Sequence, residues 1–294
     1  MRIDAHIHFW RPACGFDNKP IADHAAYRRD FLPDDIEDEL ARCGIDTVLL
    51  VQAAPQPQET AWMLELAHHH PVIAGVVGWV DLDSEPIDYA PLCAQRALVG
   101  IRAQLRRIAD PAFVLRPQVL ANLARALDAG LGVTLLAEQR HYEAAERALR
   151  ELPAGPVTFN HLGMRFADVD VSPWRRLLQA IAGRPETFLQ LSGLPFLHGE
   201  RWREAPARAI LDEAYARVGP ARLVFASDWP MLVRFASYTE WVRAVEALLD
   251  AHGASADERD AVFRANALSA HPRLRASLGT ARNPSLQQQT ENGR

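Results

Sequence analysis

Two stretches decide the fold: Ile3-Asp4-Ala5-His6-Ile7-His8-Phe9 near the start, and Leu223-Val224-Phe225-Ala226-Ser227-Asp228-Trp229-Pro230 near the end. Each is a short apolar run that finishes on residues able to do chemistry. Between them lie six more runs of the same kind: Thr47–Gln52, Val72–Trp79, Leu98–Gln104, Gly132–Ala137, Val157–Asn160 and Thr187–Leu191. With Ile3–Phe9 and Leu223–Ala226 they make eight. Continuous rather than alternating apolar character marks strands buried on both faces, as in a parallel sheet. Helical patterns separate them: Asp34–Arg42, Glu59–His70, Gln118–Ala129, His141–Leu152, Trp174–Ala182, Ala207–Val218 and Trp241–Ala251. Strands alternating with helices predict an α/β chain closed into a (β/α)8 (TIM) barrel. A doubly wound open sheet is the alternative, but no Gly-rich phosphate loop follows the first strand.

The 294 residues exceed the roughly 250 of one such barrel and predict a barrel over 1–276 followed by a polar, disordered tail over 277–294. Hydrophobic residues at 49% and charged residues at 23% suit a globular enzyme. A net charge of -5, with Lys19 the only lysine, argues against nucleic-acid partners, although arginines remain available for a small anionic or polyhydroxy ligand. No apolar run is long enough to span a membrane, and the N-terminus lacks a signal-peptide core, so a cytoplasmic monomer or homodimer is expected. Cys14, Cys43 and Cys93 form no paired motif.

Residues two apart on a strand share a face. Asp4, His6 and His8 are therefore expected together, facing the barrel axis, with Ile3, Ala5 and Ile7 turned to the helices. Two imidazoles at the C-terminal end of a strand, where barrel active sites form, suit one metal ion; a metal-free hydrogen-bonded pair is the other reading. First and last strands are neighbours in a closed barrel. That places Asp228 beside His6 and His8, as a further ligand or as a general base on water; an N-cap or turn aspartate is the alternative. His161, in Phe159-Asn160-His161-Leu162-Gly163, is a strand-end imidazole suited to a metal or a substrate carbonyl, or to a satisfied core position. Arg102 and Gln104 share parity on the fourth strand, with Arg106 beyond. A buried Arg102 needs a partner: a carboxylate, a substrate hydroxyl or an acidic side chain such as Asp4, or else a structural ion pair. Trp10, Gln52, Trp79 and Glu138 stand at strand ends as pocket candidates, as does Ser192-Gly193. The tract His68-His69-His70 reads as an exposed helix end. No G-x-S-x-G elbow supports a serine hydrolase.

The succession D-x-H-x-H, H-x-G, S-G and S-D-W-P, with the closing Ala261-Val262-Phe263-Arg264-Ala265-Asn266-Ala267-Leu268, resembles the amidohydrolase-2 branch of the amidohydrolase superfamily over about residues 1–275. His8-Phe9-Trp10, Val51-Gln52-Ala53, Glu59-Thr60-Ala61-Trp62, Val76-Val77-Gly78-Trp79 and Gly100-Ile101-Arg102-Ala103-Gln104-Leu105 are similar to L-fuconolactonases and related sugar lactonases. The 2-pyrone-4,6-dicarboxylate lactonases are a more distant likeness. The resemblance implies hydrolysis of a small-molecule sugar lactone to its aldonic acid. Asp228 would activate water, His161 and Arg102 would orient the lactone and stabilise the oxyanion, and His6, His8 and Asp228 would hold one divalent metal ion. Zinc is the expected ion, in a branch where some lactonases dispense with metal. Trp10, Trp79, Gln52, Gln104 and Glu138 would line the substrate. Three departures stand out. The fourth and fifth strands lack the extra ligands of a two-metal centre. Asn160 and Met164 replace the Asp and Lys of a D-H-x-G-K pattern. Ala103 stands where some members carry histidine. Rival readings are a metal-dependent aromatic-acid decarboxylase of the same branch and a non-catalytic barrel that binds a sugar acid.

Overall fold

The structure is a computed structural model that describes residues 1–18, 24–164 and 170–281. Eight parallel strands follow one another in chain order: β1 (Ile3–Ile7), β2 (Thr47–Val51), β3 (Ile73–Gly78), β4 (Leu98–Ala103), β5 (Gly132–Leu135), β6 (Val157–Phe159), β7 (Thr187–Leu191) and β8 (Leu223–Phe225). Every residue in them is buried, which is why the runs read as continuously apolar. The seam closes just past the strand ends. Asp228 N–H donates to His6 O at 2.9 Å, and His8 N–H donates to Trp229 O at 2.7 Å. The expected (β/α)8 barrel is the observed architecture.

Helices α1 (Glu37–Arg42), α2 (Pro57–His69), α3 (Ala90–Cys93), α4 (Pro117–Asp128), α5 (Tyr142–Glu151), α6 (Val171–Gly183), α7 (Ala205–Val218) and α8 (Tyr238–Ala251) surround the sheet. Proline at the first turn of α2 and α4 starts them without wasting a hydrogen bond. On α4 the residues at helical spacing, Val119, Leu123 and Leu127, are the buried ones; each contributes about 1.5–3 kcal/mol by leaving water. The helix of the third crossover is only one turn long, and in the first the 3-10 turn Pro33–Asp35 leads into α1.

One expectation about β1 is corrected. The β1–β2 register shifts between Asp4 and Ile7. This irregularity breaks the two-residue alternation. Ile3 and Ala5 pack with Leu49, Val51, Val99, Phe188 and Val224, a cluster drawn from five other strand positions that can meet only inside the barrel. Asp4 instead turns outward: its Oδ2 accepts from Tyr238 Oη at 3.0 Å. A capping box sets Tyr238 in place, with Ser237 and Glu240 exchanging hydrogen bonds at the start of α8. Asp4 Oδ1 accepts from the backbone of both His6 (3.1 Å) and Ser227 (2.9 Å). Asp4 thus clamps β1 to the segment that carries Asp228.

Ala267, Leu268, Ala270 and Leu274 close the opposite end of the barrel. A Cβ on Gly132 would come within 2.3 Å of Ala270 O and 2.5 Å of His271 Nδ1, so only glycine lets this plug seat. The last described helix runs Leu274–Ala281, with Ser277 Oγ donating to Ala74 O at 2.6 Å. The barrel's helical cover therefore continues past 276, because Leu274 and Ser277 dock onto it; residues 282–294 of the expected tail lie outside the described residues, as does Lys19.

Candidate active site

The chemistry-bearing side chains gather where β1, β4, β6, β7 and β8 end. Three non-glycine residues there adopt left-handed backbone: His161 (φ 52°), Leu162 (φ 54°) and Asp228 (φ 61°). Such conformations cost on the order of 1–3 kcal/mol each and persist where the surroundings hold them, commonly at functional sites. The β7 loop can approach His161 because Gly193 has no side chain: a Cβ there would lie 2.6 Å from His161 Cβ.

Each of the three imidazoles has its Nδ1 engaged. His8 Nδ1 lies 2.7 Å from Val51 O, an acceptor, so that nitrogen carries the proton. His6 Nδ1 lies 2.9 Å from Gln190 Oε1, which also accepts from Asn160 Nδ2 at 2.7 Å. His161 Nδ1 lies 2.9 Å from Ser192 Oγ, while its Nε2 faces the Arg102 Nη2 donor at 3.4 Å. All three Nε2 atoms point into one space, that of His161 shared with the Arg102 donor. His6 Nε2 and His8 Nε2 approach to 3.1 Å. Two acceptors at that distance repel unless a cation or proton sits between them. Asp228 Oδ1 lies 3.7, 3.4 and 3.8 Å from the Nε2 atoms of His6, His8 and His161, buried and without a hydrogen-bond partner.

Those separations bracket the edges of about 3.3–3.4 Å expected for a tetrahedron with 2.0–2.1 Å bonds. The donor set thus fits one divalent cation. Among the described residues, one other His/carboxylate grouping of this kind occurs, Asp34, Glu37 and His70, on the surface. Burial, helped by the nearby Arg102 charge, holds His6 well below the ordinary imidazole range. Burial also takes His161 down to about 4, against the pull of Asp228. Burial alone would raise the Asp228 carboxyl; His161, His8 and Arg102 outweigh it and keep it below its usual value.

Arg102 is buried but does not pair with Asp4, which faces the other way. Its Nε donates to Asn160 Oδ1 at 2.9 Å and its Nη1 to Gln52 O at 2.8 Å. Burial lowers it only to about 10, so it stays cationic, helped by Asp228 and Glu59. Its hydrogen-bond partners are neutral, and its nearest compensating charges are those of Asp228 and Glu59. Glu59 fixes the loop that supplies Gln52 O: its Oε2 accepts from Ala53 N (2.9 Å) and Ala54 N (2.7 Å).

A cavity of about 780 Å³ opens above these groups, with His8, Trp10, Arg102, Gln104, His161 and Asp228 in its lining. Trp10 is anchored by Nε1 donating to Tyr27 O at 3.0 Å. Gln52 is buried beneath the lining and reaches the cavity only through Gln104, whose Nε2 donates to its Oε1 at 2.9 Å. Two expected lining residues do not line it. The end of β3 packs against α2, with Trp79 N–H donating to Thr60 Oγ1 at 2.9 Å. Glu138 is drawn aside by Arg140 Nε at 2.8 Å and Arg106 Nε at 3.6 Å. Sequence reasoning did not single out Gln190, Tyr27, Phe196, Met231 or Arg234. Gln190 was detectable as a polar residue inside an apolar strand, in phase with Ser192. The others sit in helical pieces of three to five residues, too short to carry a periodic signal.

The sequence profile of the amidohydrolase family matches residues 3–270. An L-fucono-1,5-lactonase of Burkholderia ambifaria is 33% identical over 284 residues, covering 91% of this chain and 94% of the relative. A solved amidohydrolase from Burkholderia multivorans with bound zinc superposes with a TM-score of 0.79 at 32% identity, covering 91% of this chain and 98% of that one. A probable 2-pyrone-4,6-dicarboxylic acid hydrolase from Acinetobacter baumannii, with citric acid bound, shares the fold (TM-score 0.75, 17% identity, 91% and 97% covered).

Proposed function

The chain belongs to the amidohydrolase family, and from that premise we propose that it hydrolyses a sugar lactone to the open aldonic acid. The observation that carries this reading is the convergence of three imidazole Nε2 atoms on the unpartnered Asp228 Oδ1, at the floor of a ligand-sized cavity. The 33% identity to an L-fucono-1,5-lactonase supports a cyclic ester as the substrate.

His6, His8, His161 and Asp228 would hold one divalent cation; zinc is supported by the ion bound in the Burkholderia multivorans relative. Such a cation, when bound, supplies Lewis-acid polarisation of an ester carbonyl and acidifies water. The side chains account for the remaining steps. The Asp228 carboxylate takes a proton from the attacking water as the water oxygen bonds to the lactone carbonyl carbon. Arg102 Nη2, aimed at the same space and still cationic, stabilises the developing oxyanion. The ring C–O bond then breaks, and Asp228 returns the proton to the departing alkoxide. Net, one water is consumed and a hydroxy acid released. Trp10 lies against the ring, its indole 6.4 Å from the His8 imidazole.

The test is acid release, followed with a pH indicator, from a panel of L-fucono-, L-rhamnono- and L-galactono-lactones, before and after chelation and after zinc is restored. Turnover that falls on chelation and returns with zinc is expected. No turnover on any lactone in the zinc-restored protein overturns the reading.

A further inference from the structure

The cavity has a charge pattern that the rest of the chain does not. Overall the chain carries 37 acidic and 32 basic side chains. The cavity lining reverses this, with four arginines (Arg102, Arg106, Arg107, Arg234) against two aspartates (Asp17, Asp228). Three of the four are already engaged. Arg102 is held by Asn160 and Gln52, Arg107 pairs with Asp17 at 3.1 Å, and Arg106 faces Glu138 at 3.6 Å. Arg234 has no carboxylate within ion-pair distance among the described residues.

Arg234 stands beside two aromatic rings. Its guanidinium lies 4.7 Å from the Phe235 ring centre, and its charge stands near the Tyr27 hydroxyl. That hydroxyl in turn donates to Met231 O at 2.7 Å. The Tyr27 ring packs 5.9 Å from Trp10 and 6.0 Å from His24. His24 Nδ1 accepts from Ala26 N–H at 3.1 Å, which leaves its Nε2–H as a spare donor in the cavity lining. A guanidinium and an imidazole N–H thus flank one tyrosine, on the side of the cavity above Trp10. At about 780 Å³ the cavity is in the upper part of the roughly 300–1,000 Å³ range of ligand sites. It has room for more than a lactone ring.

We propose that Arg234, with Tyr27 and His24, forms a carboxylate subsite, and that the preferred substrate is a lactone bearing a second, free carboxyl group on its carbon chain. This rests on the lactonase reading and deepens it. A guanidinium suits a planar carboxylate through parallel N–H donors, and its charge draws an anion toward the cavity before binding.

The test compares kcat/KM for L-fucono-1,5-lactone (neutral), D-glucarate-1,4-lactone (carboxylated) and 6-phosphoglucono-1,5-lactone (phosphorylated). It uses the zinc-loaded wild-type protein, Arg234→Gln and Arg234→Lys. The carboxylated lactone is expected to exceed the neutral one in the wild type. That ratio should fall about tenfold in Arg234→Gln, the loss of one charge-assisted contact, and recover in part in Arg234→Lys. Raising the salt from about 20 to about 500 mM should also lower it, because the rim charge is solvent-exposed. A neutral lactone turned over as well as the carboxylated one, or a ratio unmoved in Arg234→Gln, overturns the subsite and leaves the lactonase reading standing. A phosphorylated lactone preferred to the carboxylated one overturns the choice of carboxylate. Failure on all three overturns the lactonase reading, and the subsite with it.

Discussion

Gln190 is the most informative residue to change outside the set of proposed ligands. Its Oε1 accepts from His6 Nδ1 (2.9 Å) and from Asn160 Nδ2 (2.7 Å), and its Nε2 donates to Ala5 O at 3.3 Å. Gln190→Leu removes that acceptor at a position only 1% exposed. Two donors are then left unpaired, at about 1–3 kcal/mol each, and nothing fixes the proton of His6 on Nδ1. Loss of such an outer partner weakens metal binding by roughly 10–100-fold, or about 1.4–2.7 kcal/mol. The assay is zinc competition with a chromophoric chelator, with circular dichroism to confirm folding. Gln190→Glu keeps an acceptor for both donors and should bind zinc at least as tightly as the wild type. A folded Gln190→Leu protein with wild-type zinc affinity would refute the argument that His6 is aimed through its Nδ1.

Other predictions follow from single contacts. Gly193→Ala should lower kcat/KM by at least about tenfold, since the new Cβ would lie 2.6 Å from His161 Cβ on a left-handed backbone; lactone turnover beside a thermal melt checks it. Burial raises the Glu59 carboxyl from 4.5 to about 7, despite two backbone N–H donors. The folded protein therefore keeps that proton where the unfolded chain has lost it. This costs stability as pH rises from about 4.5 to about 7, with no further loss above. Glu59→Gln, whose amide oxygen can accept both N–H groups, should remove roughly 3 kcal/mol of that dependence; urea melts at several pH values measure it. Gly132→Ala should destabilise the barrel by about 1–3 kcal/mol through the clash with Ala270 O and His271, read as a lower denaturation midpoint.

The barrel was legible because strands buried on both faces leave uninterrupted apolar runs, and a (β/α)8 sheet pairs them in chain order. His6, His8, Arg102, His161 and Asp228 were legible because polar residues at the ends of such runs have few other places to go. The face of Asp4 was not. A register shift inside a five-residue strand leaves no mark on composition, and the outward hydrogen bonds to Tyr238 and Ser227 depend on elements more than 220 residues away. Trp79 and Glu138 show the limit of reasoning from strand ends alone. Where the chain goes after the last ladder pair depends on local partners, here Thr60, Arg106 and Arg140. Tyr27, His24 and Arg234 meet only because two irregular segments, after β1 and after β8, fold over the same opening.

The most direct test of the central claim is kcat/KM for lactone hydrolysis by Asp228→Asn, measured beside its zinc content. If the Asp228 carboxylate accepts the proton of the attacking water, the amide should reduce kcat/KM by about 10²–10⁴-fold, the usual worth of a positioned general base, in protein that still retains zinc on its imidazoles. Zinc-loaded Asp228→Asn that turns over lactone within a few-fold of the wild type would contradict the account.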